Sequence, residues 1–369
     1  MEAMDPASAG IALQQCDGIG PRTALKILEH YDRLTDLFEE PAGHLRKLGF
    51  LSEDSIQLLC DNTFRAKARD EAERIEQLGG RVRVIGHDDY PRRLMRCADL
   101  PLVLITKGAA DLDALRMVAV VGTRNISDYG RAACTRILEE IAPFGVTIVS
   151  GLAYGVDIWA HREALRMGIP TVACLAHGID RIYPSHHGSE ARKMLEAGGA
   201  LISEFPLGTQ PKRENFPERN RIIAGMSDAT IVIESDRKGG SMITARIAAS
   251  YNREVYAVPG RINDRYASGC NALIRGMEAQ ILLHGAQLAM DLGWKRKEGK
   301  KTRQLSLSID LPEEQQKVFS LLQDGKPMHI DSIAVRTQLG RSALIKALFE
   351  LEMNGVIRHR PGQQYVMNR

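Results

Sequence analysis

A chain of 369 residues, 44% hydrophobic and 26% charged, has the composition of an ordinary soluble globular protein with material for two or three domains. Its 49 basic and 46 acidic side chains nearly cancel, so any surface for a polyanion has to be local, and an aromatic content of 5% limits base-stacking platforms. Six scattered cysteines without CxxC or Cys/His spacing argue against a disulfide framework or zinc site, and no apolar run approaches the ~18 residues of a membrane span.

Residues 1–80 read as a small all-α domain, with helices broken at DGIGPR and near Pro41 and Gly49. In CDGIGPRTALKILEHY a glycine turn precedes Pro21 at a first helical position, then apolar residues at 24, 25, 27 and 28. This is similar to one helix-hairpin-helix (or SAM-like) unit. Such a unit can hold a DNA phosphate at its helix end, or use glycine simply to turn a corner.

Between 81 and 292 short apolar runs alternate with helix-length amphipathic stretches. RMVAVVG, VTIVSG, TVACLA, GALISEF, DATIVIES and EVYAVPG are rich in Val and Ile on both faces, which predicts a parallel sheet covered on both sides. The expected fold class is α/β: a Rossmann-like, doubly wound domain. Residues 293–308, GWKRKEGKKTRQLSLS, read as a basic linker, and 309–369 follow the order of a winged helix whose recognition helix would span about 341–354. Its cations there, Arg341 and Lys346, are few for a major-groove reader, so DNA and protein contacts both stay open.

Ligands of open α/β sheets bind beyond the carboxyl ends of the strands. The loops expected there are rich in glycine and cations: Arg124, Lys212, Arg213, Arg219, Arg221, Arg237 and Lys238 all lie in or beside them. Phe216, before Pro217 in a polar stretch, can stack on a base or pack beneath its loop. Arg219 and Arg221 can face phosphate or pair with Glu204 or Glu234. Ser241 can cap the helix opened by Gly239 and Gly240.

VVGTRNISDYG, SGLAYGVDIWAH, GIDRIYP, SEFPLG, FPERNRIIAGMSDATIVIES, GGSMITA and AVPG, in this order, resemble the DNA-processing protein A (DprA, or Smf) family over residues 85–285. The resemblance implies a cytoplasmic protein that binds single-stranded DNA, protects it, and loads a RecA-type recombinase onto it in natural transformation. It also implies a homodimer, expected through the Rossmann-like domain; neither a cofactor nor a metal is expected from the loop and cysteine patterns. Carried over by residue, it puts Gly122, Thr123, Arg124, Arg213, Phe216, Gly239, Gly240 and Ser241 in the DNA site, and the neighbouring Ser127, Lys212, Arg219, Asn220 and Arg221 complete the expected set. Ser185 stands where some relatives carry a cation, one departure from the pattern.

A dinucleotide cofactor needs a glycine-only turn beneath its pyrophosphate, whereas GTRNIS offers a guanidinium fork suited to a backbone phosphate. The rival is a Rossmann-shaped nucleotide-cleaving hydrolase with a PGGxGTxxE helix start. Against that pattern KGGSMITAR places Met242, Ile243 and Arg246 where glycine, threonine and the catalytic glutamate would stand.

Overall fold

The computed structural model describes residues 4–295, 312–322, 327–353, 356–360 and 362–367. The chain opens with helices α1 (Pro6–Gln15), α2 (Pro21–His30), α3 (Ala42–Lys47), α4 (Glu53–Cys60) and α5 (Asn62–Gln77). Local chemistry fixes their starts. The Asp5, Ser52 and Asp61 side chains accept the free first-turn amides of α1, α4 and α5, and Pro6 and Pro21 open α1 and α2.

Next come β1 (Gly80–Val84), β2 (Val103–Gly108), β3 (Met117–Val121), α6 (Asp128–Ile141), β4 (Thr147–Ser150), α7 (Val156–Arg166), β5 (Thr171–Cys174), α8 (Gly188–Glu196) and β6 (Ala200–Ser203). They are followed by α9 (Asn215–Gly225), β7 (Ala229–Val232), α10 (Gly240–Ser250), β8 (Glu254–Ala257), α11 (Ser268–Arg275), β9 (Gln280–Ile281) and α12 (Gly285–Asp291). The strands form one sheet in the order β1-β2-β6-β5-β4-β3-β7-β8-β9. From β3 to β9 every pairing within that series is parallel, as expected for a doubly wound domain. The pair β1–β2 joins β6 antiparallel, with Ile105 opposite Ser203, and extends the sheet beyond the expected strands.

Strand β3 shows why both faces are covered. Met117, Ala119 and Val121 pack into the core that also contains the N-terminal helices, while Val118 and Val120 face a second core with α6, α7 and α12. With a period of two, a strand buried on both faces must be apolar throughout.

Residues Met1–Lys297 form one compact unit, so the boundary expected at 80/81 is not a break in packing. Helix α1 lies directly on the β1–β2 pair: a Cβ on Gly10 would meet Val84 Cγ2 at 2.6 Å and Val103 Cγ2 at 3.1 Å.

Unit Glu298–Arg369 has its own core around Val318, Ile333, Leu348 and Leu351. Its elements are α13 (Glu313–Leu322), β10 (Met328–His329), α14 (Ile330–Thr337), α15 (Arg341–Met353), β11 (Ile357–Arg360) and β12 (Gln364–Met367). The strands form an antiparallel sheet β10-β12-β11, and α15 sits at the expected recognition-helix position. Its exposed side carries Ile345, Phe349 and Met353 beside Arg341 and Lys346. Most of the expected linker, 296–308, lies outside the described residues.

Because the valine γ-methyls under Gly10 belong to stiff β-branched side chains, Gly10→Ala is expected to lower the stability of the Met1–Lys297 unit by about 1–3 kcal/mol through overpacking. Urea unfolding checks this. A midpoint equal to the parent's would show that α1 can move off the pair freely.

Candidate single-strand interface at the sheet switch point

The chain leaves β3 for β4 on one side and reaches β7 on the other, so the loops after β3 and β7 diverge and open a crevice at their carboxyl ends. A cavity of about 290 Å³ lies there. It is lined by Gly122, Thr123, Arg124, Phe216, Arg219, Asn220, Gly239, Gly240 and Ser241, all expected site residues, and by Asp157, Asp236 and Thr244, which the sequence reading passed over. Ser127, Lys212, Arg213 and Arg221 lie outside its lining.

The loop after β3 is pinned on both sides. Thr123 N donates to Glu234 O (2.7 Å) and Val156 N donates to Thr123 O (3.0 Å). A Cβ on Gly122 would strike Val156 Cγ2 at 2.4 Å, and one on Gly155 would strike Thr123 O at 2.1 Å. Gly155 also sits at φ 77°, ψ −120°, a conformation open essentially to glycine alone. This packing leaves Arg124 exposed at the cavity mouth.

Phe216 is not in a loop. Helix α9 begins at Asn215, so Phe216 stands in its first turn, half-buried, with the Arg124 and Arg219 guanidinium carbons 5.3 and 5.8 Å from its ring centroid. Tyr183 meets the ring edge-on at 6.3 Å. A single phenyl ring therefore backs two cations, one outside and one inside.

Arg219 is the inner one, and it is 3% exposed. Its Nη1 donates to Gly151 O (2.6 Å) and to Cys174 O, and its Nε to Asn220 Oδ1 (3.2 Å). Asp157, buried and holding Gly151 N–H at 3.1 Å, faces it as counter-charge. Burial opposes both charges, but a guanidinium keeps its proton in proteins, so Arg219 is a buried structural cation rather than a free phosphate ligand. The same burial, with Arg219 and His187 nearby, pushes the His161 ring down to about 3 and keeps it neutral.

Three other expected ligands are engaged elsewhere. Arg221 donates to Glu204 and to Asp99 O, the pairing alternative for this residue. Ser127 Oγ accepts Gly130 N–H (3.1 Å) as the α6 cap and donates to Glu234. Ser241 does not cap its helix: Gly239 is the N-cap, and Ser241 Oγ donates to Ser235 Oγ at 2.8 Å. What α10 offers the cavity is its first backbone amides at Gly240 and Ser241, with the positive end of the helix dipole behind them.

The charge balance follows. Arg219 is matched by Asp157, and Asp236 by Arg265 at 2.7 Å. Arg124, Lys212, Arg213, Arg237 and Lys238 are exposed and have no acidic partner among the described residues. Net positive charge thus gathers at one sheet edge of a nearly neutral chain. No cluster of three His, Cys, Asp or Glu that could hold a metal occurs among the described residues, and no described helix is long and apolar enough to cross a membrane.

The model of the DNA recombination-mediator protein A family matches residues 81–293, more than half of the chain, and that of the DprA winged helix domain matches 305–363. The chain belongs to the DprA/Smf family. Protein Smf of Synechocystis is 29% identical over 96% of this chain and 97% of its own. The crystal structure of DprA from Streptococcus pneumoniae superposes with a TM-score of 0.67 at 29% identity, covering 79% of this chain and 99% of that one. DprA from Helicobacter pylori, whose structure was described for its single-stranded DNA binding mode, gives a TM-score of 0.52 at 30% identity over 57% of this chain and 96% of that one.

Two features of the chain are open to direct test. Gly155→Ala forces Cβ into the Thr123–Arg124 backbone, so a stability loss of about 1–3 kcal/mol is expected together with weaker anion binding. Parent-like thermal unfolding would contradict it. Glu204 is pushed up to about 7 by burial, against the pull of Arg221, because its Oε1 is buried without a hydrogen-bond partner. The folded state then holds a proton that the unfolded state has released between its ordinary value, 4.5, and about 7, so stability falls as pH rises through that window. Unfolding free energies from urea titrations at the two ends should differ by roughly 1–3 kcal/mol in the parent and by less in Glu204→Gln; an equal difference in both would sink the assignment.

Proposed function

We propose that this chain binds single-stranded DNA along the carboxyl edge of its parallel sheet and delivers it, protected, to a RecA-type recombinase during natural transformation. It does so in the cytoplasm, without a cofactor and without catalysing a reaction. The observation that carries the reading is Arg124: an unpaired guanidinium, backed by the Phe216 ring, at the mouth of a switch-point cavity headed by the first amides of α10. A fork of donors held in place suits a phosphate oxygen pair, and a half-buried aromatic suits a base of any identity. The single-stranded DNA binding described for the Helicobacter pylori relative supports the ligand class.

The nucleotide-cleaving alternative lacks its acid. Arg246 occupies the place of the glutamate and reaches to Glu278 at 3.3 Å. Release of free base from nucleoside 5′-monophosphates by the purified chain would restore that reading.

For self-association the sheet edge is the favoured surface. The edge strand β9 and its flanks expose Met277, Ile281 and Leu283, three apolar side chains at the end of the sheet. Ile281→Glu should shift the chain to a monomer in light scattering, and a dimer of unchanged stability would relocate the interface.

Anisotropy titrations with single-stranded and duplex oligonucleotides of equal length across salt test the main reading. If four to six phosphates are neutralised, the log–log slope on single strands is expected at roughly −3 to −4. Arg124→Ala should weaken binding about tenfold and flatten that slope by about 0.7, with lysine restoring part of the loss. Arg213→Ala should do less, because Arg213 lies outside the cavity lining. Tighter duplex binding, or an unchanged Arg124→Ala, would refute the site. Strand exchange by a RecA-type recombinase, with and without the chain, tests delivery.

A further inference from the structure

Arg124 lines a second depression as well as the switch-point cavity. This is an open groove of about 1090 Å³ running from Arg124 over the start of α7 toward α6. Arg131 of α6, Trp159 and Arg162 of α7, Tyr154 and His186 contribute to it, and no acidic side chain lines it among the described residues. We infer that this groove is a second subsite for the same single strand, so that the backbone crosses Arg124 with one nucleotide in the cavity and the next ones in the groove. The inference rests on the single-strand reading above.

The arrangement at Arg124 is repeated here. The Arg131 guanidinium carbon lies 5.3 Å from the Trp159 ring centroid, as that of Arg124 lies 5.3 Å from Phe216. The Trp159 ring is itself fixed, its Nε1 donating to Thr135 Oγ1 at 3.2 Å. Arg131 has only a loose contact, 3.6 Å, with the fully exposed Asp128, a pair that contributes little in water. Its outer face is thus available as a flat cationic plane on which a base can stack while the adjacent phosphate meets Arg124. Tyr154, 45% exposed and braced edge-on against His187 at 5.0 Å, offers a second ring on the same wall. The groove is larger and more open than a small-ligand pocket, which fits a length of polymer rather than a mononucleotide.

The chain has two tryptophans, Trp159 and Trp294. In a full-length Trp294→Phe background, emission therefore reports Trp159 alone. Oligothymidylates of increasing length, end-labelled, are titrated while anisotropy and tryptophan emission are read together. The expected result is quenching of Trp159 with the same midpoint as anisotropy, absent for thymidine monophosphate and appearing once the strand exceeds the cavity. Arg131→Gln should weaken binding of long strands roughly tenfold, the loss typical of one stacked base, and leave the shortest bound strands unaffected. Arg131→Lys should recover only part of this, because it keeps the charge without the plane. Trp159→Phe serves as a variant that preserves packing between α6 and α7. If strands bind by anisotropy while Trp159 emission stays constant and Arg131→Gln binds long strands as the parent does, the groove is off the path and the single-strand reading stands. If no strand binds at all, both fall together.

Discussion

The buried Arg219 guanidinium is the constraint on which the site depends. It joins the carbonyl of Gly151, beyond β4, to that of Cys174 at the end of β5, so one side chain fixes two adjacent strand ends. Breaking it would leave the Asp157 charge without its counter-charge and two carbonyls without this donor in a dry environment, which is far more costly than losing a surface contact. Phe216 lies on the outer face of this cation and Arg124 on the outer face of Phe216. The exposed Arg124 is therefore positioned from beneath, by the Phe216 ring and the buried Arg219. A flexible arginine on a loop would have to lose its own conformational freedom on binding; here packing has already removed part of it.

The same layering explains what was legible in the sequence. The doubly wound sheet announced itself because strands buried on both faces must be continuous Val/Ile runs, as in β3 and β7. The glycine loops were legible because close backbone approach leaves no alternative residue, as Gly122 and Gly155 show. The pair β1–β2 was not, because GRVRV carries arginines at alternate positions, the habit of an edge strand, and reads as polar. Phe216 was misplaced into a loop because Pro217 suggested a break. Proline is tolerated in a first helical turn, where amides have no intrahelical acceptor, and α9 uses that freedom.

The burial of Arg219 did have a signal. It stands three and four positions before Ile222 and Ile223, on the inward face of an amphipathic helix. A charge on such a face has to be satisfied internally, which separates it from Arg213 and Arg124 without any knowledge of the fold. What the sequence does not encode locally is the partner: Gly151 is 68 positions away and Cys174 is 45. Only the crossover order of the sheet brings them together.

Charge distribution then decides what kind of ligand the edge suits. The chain carries +3 overall, and the buried Arg219 is offset by Asp157, so the positive potential at this edge comes from the unpaired cations Arg124, Lys212, Arg213, Arg237 and Lys238. They are spread over loops following different strands rather than gathered in one pocket. A compact anion could use only one or two of them, while a flexible polyanion can contact several in turn. Each such contact is screened by salt and individually weak, so cations spread in this way suit distributed contacts to a polyanion rather than one tight site. A rigid duplex cannot bend its phosphates into a cavity of about 290 Å³ at the switch point, whereas a single strand can turn one nucleotide inward. The proposed preference for single strands thus rests on the shape of the edge as much as on its charge.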